Sequence, residues 1–500
     1  MGTPCLARPP TARGSAGVSL ALLERPDERL APLERLEVLA DPGSLQLLRT
    51  QVRSRRMGER ARAGDGVIAA QARVDGRQVF CYAQDASFAG GSLGEAHAQS
   101  IVEVLRLAGR ARVPVLGFVE SAGARMQEGL AALSGYGAIF REHVRLSGLV
   151  PQISIVCGPA AGGSSYGPAL NDFVIMTGKA SMFLTGPGVV SEVTGEVLDM
   201  ASLGGPRVHE RNGVCHFVAP TEVDAALTAR DLLDYLPQHA GVEPALWPSV
   251  EAPGHAPDRV VPAQARKVYD MRHVASALVD GGRLMEVSPR WSRNVVCAFA
   301  RLEGRSIGIV ASQPKHLGGV LDASSAQKAA RFVRACNSFG LPLLVLVDTP
   351  GFMPGSRQEQ DAVIRHGAKL VHAFAEASVP SVTVIVRKAF GGAFIAMNSK
   401  ALGADYVYAW PGAEIGVMGA EQAVGIVARR EIAAAEDPAA HRRRLAAAYS
   451  AEHLHVDGAS AEGFVDELIA PEHTRARVAA SFEALAGALR PPSRASNIPL

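Results

Sequence analysis

Residues 379–392 read VPSVTVIVRKAFGG, and residues 150–163 read VPQISIVCGPAAGG. Each opens on Val-Pro, runs through β-branched and apolar residues, and closes on two adjacent glycines. The step from Val150 to Gly162 is twelve positions, and so is the step from Val379 to Gly391. Strand-forming residues bounded by proline and glycine predict a strand in each place. The segments that follow, SSYGPALND and AFIAMNSKAL, are helical in composition, so each glycine pair sits where a strand hands over to a helix. A helix leaves its first amides without partners, and glycine lets a ligand approach the main chain closely. Two amides aimed at one oxygen make an oxyanion hole, contributing roughly 2.7–4 kcal/mol per donor. A single Gly-Gly is more often only a tight turn; a matched pair brings the two readings level.

The repeat extends upstream. VPVLGFVESAGA from Val113 and LPLLVLVDTPGF from Leu341 are again X-Pro, an apolar run and a glycine-bearing loop, and a helical stretch such as AVIRHGAKLVHAFAEA follows. Alternating apolar strands and helices imply an α/β fold with buried sheets. A repeat at half-chain distance implies two related domains, not a solenoid. Residues 235–263 carry six prolines and read as the interdomain region. The expected division is a leader over 1–30, a first domain over 31–250, a linker over 251–262 and a second domain over 263–500.

Composition excludes several classes. A chain of 500 residues exceeds one ordinary core, and a net charge of +2 without basic-aromatic tracts argues against nucleic acid. The six cysteines stand singly, which encodes neither a zinc ribbon nor a disulfide framework and fits a reducing compartment. Apolar runs end well short of about 18 residues, so no membrane span is expected. The N-terminal stretch has too short an apolar core for a signal peptide, and a cytoplasmic location follows.

At this point the chain resembles the carboxyltransferase β subunits of biotin-dependent acyl-CoA carboxylases, of the propionyl-CoA and acetyl-CoA carboxylase type. The resemblance runs from about Asp41 to Leu500. It includes QDASFAGGSLGEAHAQSIVEVLRLA, ESAGARMQEG, GPAAGGSSYGPALNDF, FLTGPGVVSEVTGE, GGVLDASSAQKAARFVRACNSFGLPLLVLVDTPGFMPG, VIVRKAFGGAFIAMNSK and the terminal NIPL. It implies two tandem crotonase-like (ClpP/crotonase) domains, each a ββα superhelix, in hexamers whose active sites lie between the N-domain of one protomer and the C-domain of a neighbour. It implies that Gly162 and Gly163 hold the carbonyl of a CoA thioester, and that Gly392 and Ala393 hold the ureido oxygen of biotin. Phe390 and Gly391 fall on the biotin side; Ala122, Gly123, Arg125, Phe394 and Ile395 fall on the substrate side. Carboxybiotin losing its carboxylate, and a thioester becoming an enolate, each place charge on one oxygen. The cofactor itself can then serve as base, which is why neither loop needs a catalytic acid or base.

The chain has neither an M-K-M biotinylation site nor an ATP-binding glycine loop, so biotin must come on a partner, an α subunit with biotin carboxylase and carrier domains. The expected product is malonyl-CoA or an alkylmalonyl-CoA, from a short or medium acyl-CoA; no metal is implied. The family commonly has GGAYD where this chain has Gly391 to Ile395, glycine at Ala122, and a more basic stretch where this chain has LAPLERLEVLA. An apolar Ile395 implies altered acyl-length selection, and the shortened basic stretch implies altered handling of CoA. Two alternatives stay open: a decarboxylase or transcarboxylase on the same fold, and a non-catalytic scaffold subunit.

Other candidates read as structural. Gly90 to Gly94 matches G-x-S-x-G, yet its position suits a strand-to-helix loop. His97, His209, His316 and His366 lack evident partners. Asp348 reads as loop capping, Glu128 and Glu359 as structural, Arg125 as a CoA-phosphate contact or an exposed salt bridge, and residues 428–452 as a solvated charged helix or hairpin suited to a partner subunit.

Overall fold

The computed structural model describes residues 29–262, 264 and 267–487. The expected leader thus lies almost wholly outside the described residues, as does the terminal NIPL. The chain divides into two compact units, and the division falls between Pro244 and Ala245.

In the first unit the strands are β1 (Gln46–Leu48), β2 (Val67–Val74), β3 (Arg77–Gln84), β4 (Val115–Ser121), β5 (Gln152–Ala161), β6 (Phe173–Thr177), β7 (Ser181–Phe183) and β8 (Phe217–Ala219). Their order is β1-β2-β3-β4-β5-β6-β8, with β7 paired to β5. In the second unit they are β9 (Met285–Glu286), β10 (Val295–Leu302), β11 (Arg305–Ser312), β12 (Leu343–Thr349), β13 (Ser381–Phe390), β14 (Tyr406–Ala409), β15 (Glu414–Gly416) and β16 (Glu467–Leu468). Their order, β9-β10-β11-β12-β13-β14-β16 with β15 on β13, repeats the first strand for strand. The duplication expected from Val-Pro and Gly-Gly spacing is therefore complete at the level of topology.

The physical causes repeat too. Each unit opens with an antiparallel hairpin, closed by Asp75-Gly76 in one and Glu303-Gly304 in the other, with φ of 50° and 78° against 49° and 74°. Positive φ at both residues of a two-residue loop is the turn whose twist matches paired strands. From β3 to β6 and from β11 to β14 the pairing is parallel. The crossovers run through helices Glu95–Ala111 and Leu130–Leu146, and Ala323–Ser338 and Val363–Glu376. Every residue of β4 and of β12 is buried, as parallel strands covered on both faces require. Ile101, Val104, Leu105 and Ala108 line the inner face of the first crossover helix and pack on Phe80, Tyr82 and Val115.

One irregularity positions the site. Val119 pairs with Val156 and Ser121 with Ala160, so residues 157–159 of β5 stand opposite Glu120 alone. In the second unit Val347 pairs with Ile385 and Thr349 with Ala389, so residues 386–388 of β13 stand opposite Asp348 alone. Beyond this bulge the strand end pairs with short β7 or β15. A bulge bends its strand, and here the strand end that leads to the glycine pair leaves its partner β6 or β14 for the short strand.

The proline-rich run after Pro244 packs on the second unit. Trp247 N donates to Gly304 O at 3.0 Å, and Gly281 N donates to Glu251 O at 3.0 Å. Arg301 lies 4.7 Å from the centre of the Trp247 ring. A Cβ on Gly304 would stand 1.7 Å from the Trp247 carbonyl oxygen, so only glycine admits this contact.

Candidate functional site

The two glycine turns have the same backbone. Gly162 has φ 58° and Gly391 has φ 59°, a region that side-chain-bearing residues rarely adopt. Helix Gly163–Leu170 follows the first and the short helical turn Gly391–Ala396 contains the second. Gly162 matches Gly391, Gly163 matches Gly392, and Ser164 matches Ala393.

The turns differ from expectation in which amide is presented. Gly162 N donates to Phe183 O at 2.9 Å, continuing the ladder between β5 and β7. Its amide is therefore spent on the sheet, and Gly162 supplies the turn's φ. Gly163 is half-buried, and among the described residues its N–H meets no acceptor. In the second turn Gly392 is exposed and its N–H likewise meets none, whereas Ala393 is 0% exposed. Each turn thus presents the amide of its second glycine, at matched positions. Neither turn carries a carboxylate, imidazole or amine. Such a turn can hold a developing anion but cannot itself carry a proton.

Three loop layers stack at each turn. In the first unit Ala122 N donates to Gly90 O at 3.0 Å, Leu93 N to Gly123 O at 2.9 Å, and a Cβ on Gly123 would sit 3.2 Å from Ala161 O. Ala122 is exposed and Gly123 buried. In the second unit Leu321 N donates to Gly351 O at 3.0 Å, and the Phe352 ring lies 3.8 Å from where a Gly392 Cβ would be. The loops Ala89–Gly91 and Leu317–Gly319 carry three consecutive positive φ values each. The G-x-S-x-G match is thus half of a duplicated turn, and the Ser92 hydroxyl donates to Ala89 O at 2.7 Å.

Beneath these layers lie buried charges. Arg125 is 0% exposed; its guanidinium donates to Asp65 Oδ1 at 2.7 Å, to Glu128 Oε1 at 2.8 Å and to Ser92 O at 3.0 Å. It faces inward as a staple joining three loops, so it is neither a CoA-phosphate contact nor an exposed salt bridge. Burial pushes the Glu128 carboxyl up, but the Glu95 amide, the Ser54 hydroxyl and Arg125 hold it below the usual carboxylate range. Asp348, on β12 opposite the bulge of β13, pairs with Arg387; burial raises its carboxyl in spite of Arg387 and Lys388.

Phe390 is buried, with its ring 3.4 Å from where a Gly419 Cβ would be. Phe394 is half-buried and Ile395 is 49% exposed, so Ile395 is the side chain that this turn offers outward. Tyr166, at the matched position of the first turn, is 50% exposed. Nothing local in the sequence marks Tyr136 or Phe352, the rings that underlie Gly163 and Gly392. Their sign is only an aromatic residue one helix or one loop upstream. Among the described residues no group of His, Cys, Asp and Glu is placed to hold a metal, no helix is long and apolar enough to cross a membrane, and the five cysteines are buried and free.

The carboxyl transferase domain family matches residues 23–498. The chain is 45% identical over 486 residues to the propionyl-CoA carboxylase carboxyltransferase subunit of Haloferax mediterranei, covering 94% of each chain. It is 44% identical over 477 residues to the methylmalonyl-CoA carboxyltransferase 12S subunit of Propionibacterium freudenreichii subsp. shermanii, covering 93% of this chain and 91% of that one. A crystal structure of the transcarboxylase 12S hexamer assembly, with hydrolysed methylmalonyl-CoA bound, superposes with a TM-score of 0.91 at 43% identity, over 94% of this chain and 93% of that chain. The crotonase-type α/β fold is that of transcarboxylase 12S. The chain belongs to the carboxyl transferase family, as a carboxyltransferase subunit of the acyl-CoA carboxylase type.

Proposed function

We propose that the chain moves a carboxyl group from carboxybiotin, carried on a partner α subunit, to the α-carbon of a short or medium acyl-CoA. The observation that carries this reading is the pair of unspent amides, Gly163 and Gly392, at matched turns without acid or base side chains. Carboxybiotin supplies the carboxyl group and, having released it, the base for the α-proton. Gly163 receives the thioester oxygen as charge gathers on it, and Gly392 receives the ureido oxygen. Gly162 and Gly391 set the two turns. Ala393 forms the floor of the second, since its cover in the chain leaves it no access to a ligand. Phe390 shapes the biotin side from beneath. Ala122, Gly123, Phe394 and Ile395 border the acyl side, and the outward Ile395 favours acyl chains longer than propionyl. The working assembly is a hexamer in the cytoplasm.

The test is reconstitution with the biotinylated partner, ATP, labelled bicarbonate and acyl-CoAs of graded length. Label fixed into a carboxylated CoA ester is the expected result; its absence with every acyl-CoA rejects the proposal. Similarity to a methylmalonyl-CoA carboxyltransferase keeps a second reading alive, transfer from a carboxylated thioester without ATP. Activity independent of ATP and of bicarbonate would select it. A scaffold role would be left only if activity survived bulky replacement of both Gly163 and Gly392.

A further inference from the structure

We infer that Tyr136, acting through Ser164, is the positioning residue that fixes the Gly163 amide for the thioester oxygen; the inference rests on the carboxyltransferase reading above. Tyr136 sits on helix Leu130–Leu146 and is 6% exposed. Its ring presses on the turn: a Cβ on Gly163 would lie 2.7 Å from both Cγ and Cδ2 of Tyr136. Its hydroxyl is hydrogen-bonded to the Ser164 hydroxyl, and the Ser121 side chain bears on the same phenol. Ser121 Oγ in turn accepts from Gly123 N at 3.2 Å. The phenol therefore ties helix Leu130–Leu146 to the first turn of the helix that follows β5.

The ring is itself held. Phe140 stacks on it with centroids 5.9 Å apart, and Tyr166 meets Phe140 edge-on at 5.9 Å. Burial raises the phenol's pKa, so the hydroxyl keeps its proton and works as a hydrogen-bond hub. The ring fixes how deep the Gly163 peptide sits, and the hydroxyl chain limits how the Ser164 end of that peptide can turn.

The second turn has no such brace. Ala393 stands where Ser164 does, and the Phe352 ring lies under Gly392 at a looser 3.8 Å. The hydroxyl chain is thus particular to the turn assigned to the thioester. Donors act on a transition state only when preset, and a misplacement of about 1 Å can cost roughly 10²-fold in rate.

The test uses the purified chain with methylmalonyl-CoA as carboxyl donor and free biotin as acceptor. In that reaction the bond from the α-carbon to the carboxyl breaks, a nitrogen–carbon bond to biotin forms, and the ureido proton ends on the α-carbon. Tyr136→Phe and Ser164→Ala should each lower kcat about tenfold, less than loss of a donor outright, with KM for the thioester nearly unchanged. The double variant should be no worse than the weaker single one, because both remove the same bond. A readout free of turnover is the carbonyl stretch of bound ¹³C-thioester, which should lie lower in the wild type than in either variant. Unchanged kcat and carbonyl stretch in both variants would overturn this inference alone. If the wild-type chain transfers nothing while its bound thioester shows no carbonyl shift, the carboxyltransferase reading fails and takes this inference with it.

Discussion

Asp348 and Arg387 meet inside the bulge that frees the end of β13: Arg387 Nε donates to Asp348 Oδ2 at 3.0 Å, and the carboxylate is closed to solvent. Arg387 also donates to Lys267 O at 2.9 Å and lies 4.9 Å from the Tyr269 ring centre. In the first unit Glu120 holds the matching position and pairs with Arg35 at 2.7 Å. A Cβ on Gly158 would stand 2.3 Å from Glu120 Oε1, so that carboxylate fills the space its own bulge opens. Each bulge is thus plugged by an ion pair. Replacing Asp348 with Asn leaves Arg387 buried without its counter-charge. The expected loss is about 3–5 kcal/mol by denaturant titration; a loss under about 1 kcal/mol would mean that water reaches the bulge.

The two glycine turns should answer differently to one methyl group. At Gly163 a Cβ collides with the Tyr136 ring at 2.7 Å, whereas at Gly392 it reaches Phe352 at an ordinary 3.8 Å. Gly163→Ala should cost about 1–3 kcal/mol of stability by overpacking and abolish transfer. Gly392→Ala should fold with little loss, so any fall in its turnover reports on ligand access. Equal thermal midpoints for the two variants would contradict this placement of Tyr136.

Stability should fall on mild acidification because of His97. Its ring is fully buried, and burial, with Arg125 adding to it, lowers its pKa from 6.5 to about 3. The unfolded chain then takes up a proton before the folded chain does. Stability is complete above pH 6.5 and declines as pH falls towards 3, at up to about 1.4 kcal/mol per pH unit. His143, also lowered by burial, adds in the same direction. Denaturation at pH 7 and pH 5 should show a smaller difference in His97→Gln than in the parent; an identical difference would assign the slope elsewhere.

Ile395 should set acyl length. Being 49% exposed in the chain, it offers an apolar surface to whatever lies over the second turn. Ile395→Asp should lower kcat/KM for a longer acyl-CoA relative to propionyl-CoA by about tenfold or more, as removal of apolar contact from a pocket does. Competition between two acyl-CoAs in one reaction measures the ratio; no change would remove Ile395 from the acyl path.

What the sequence makes legible is local. Val-Pro, an apolar run and Gly-Gly are adjacent signals, which is why the duplicated frame can be read in advance. What escapes depends on partners far away. Arg125 looks like a surface cation until Asp65, 60 positions earlier, closes over it. Tyr136 meets Ser164 across 28 positions, through a helix crossover whose phase decides which residue points down. The bulges at Glu120 and Asp348 are properties of strand register, and residue type does not announce them. The same limit explains the donors. Gly-Gly-Ala gives the residue types of the second turn, but which of them the fold leaves accessible follows from the course of the turn, and Ala393 is covered.

The docking of Trp247 over Gly304, with Arg475 Nη2 reaching Val250 O at 3.3 Å, makes the proline-rich run an integral flap of the later half. Anyone cutting the gene in two, or grafting one half onto a different scaffold, should therefore sever it ahead of Ala245. A scission after Pro262, where the prolines suggest a natural seam, would strip the β10–β11 hairpin of its cover and leave a fragment prone to clump.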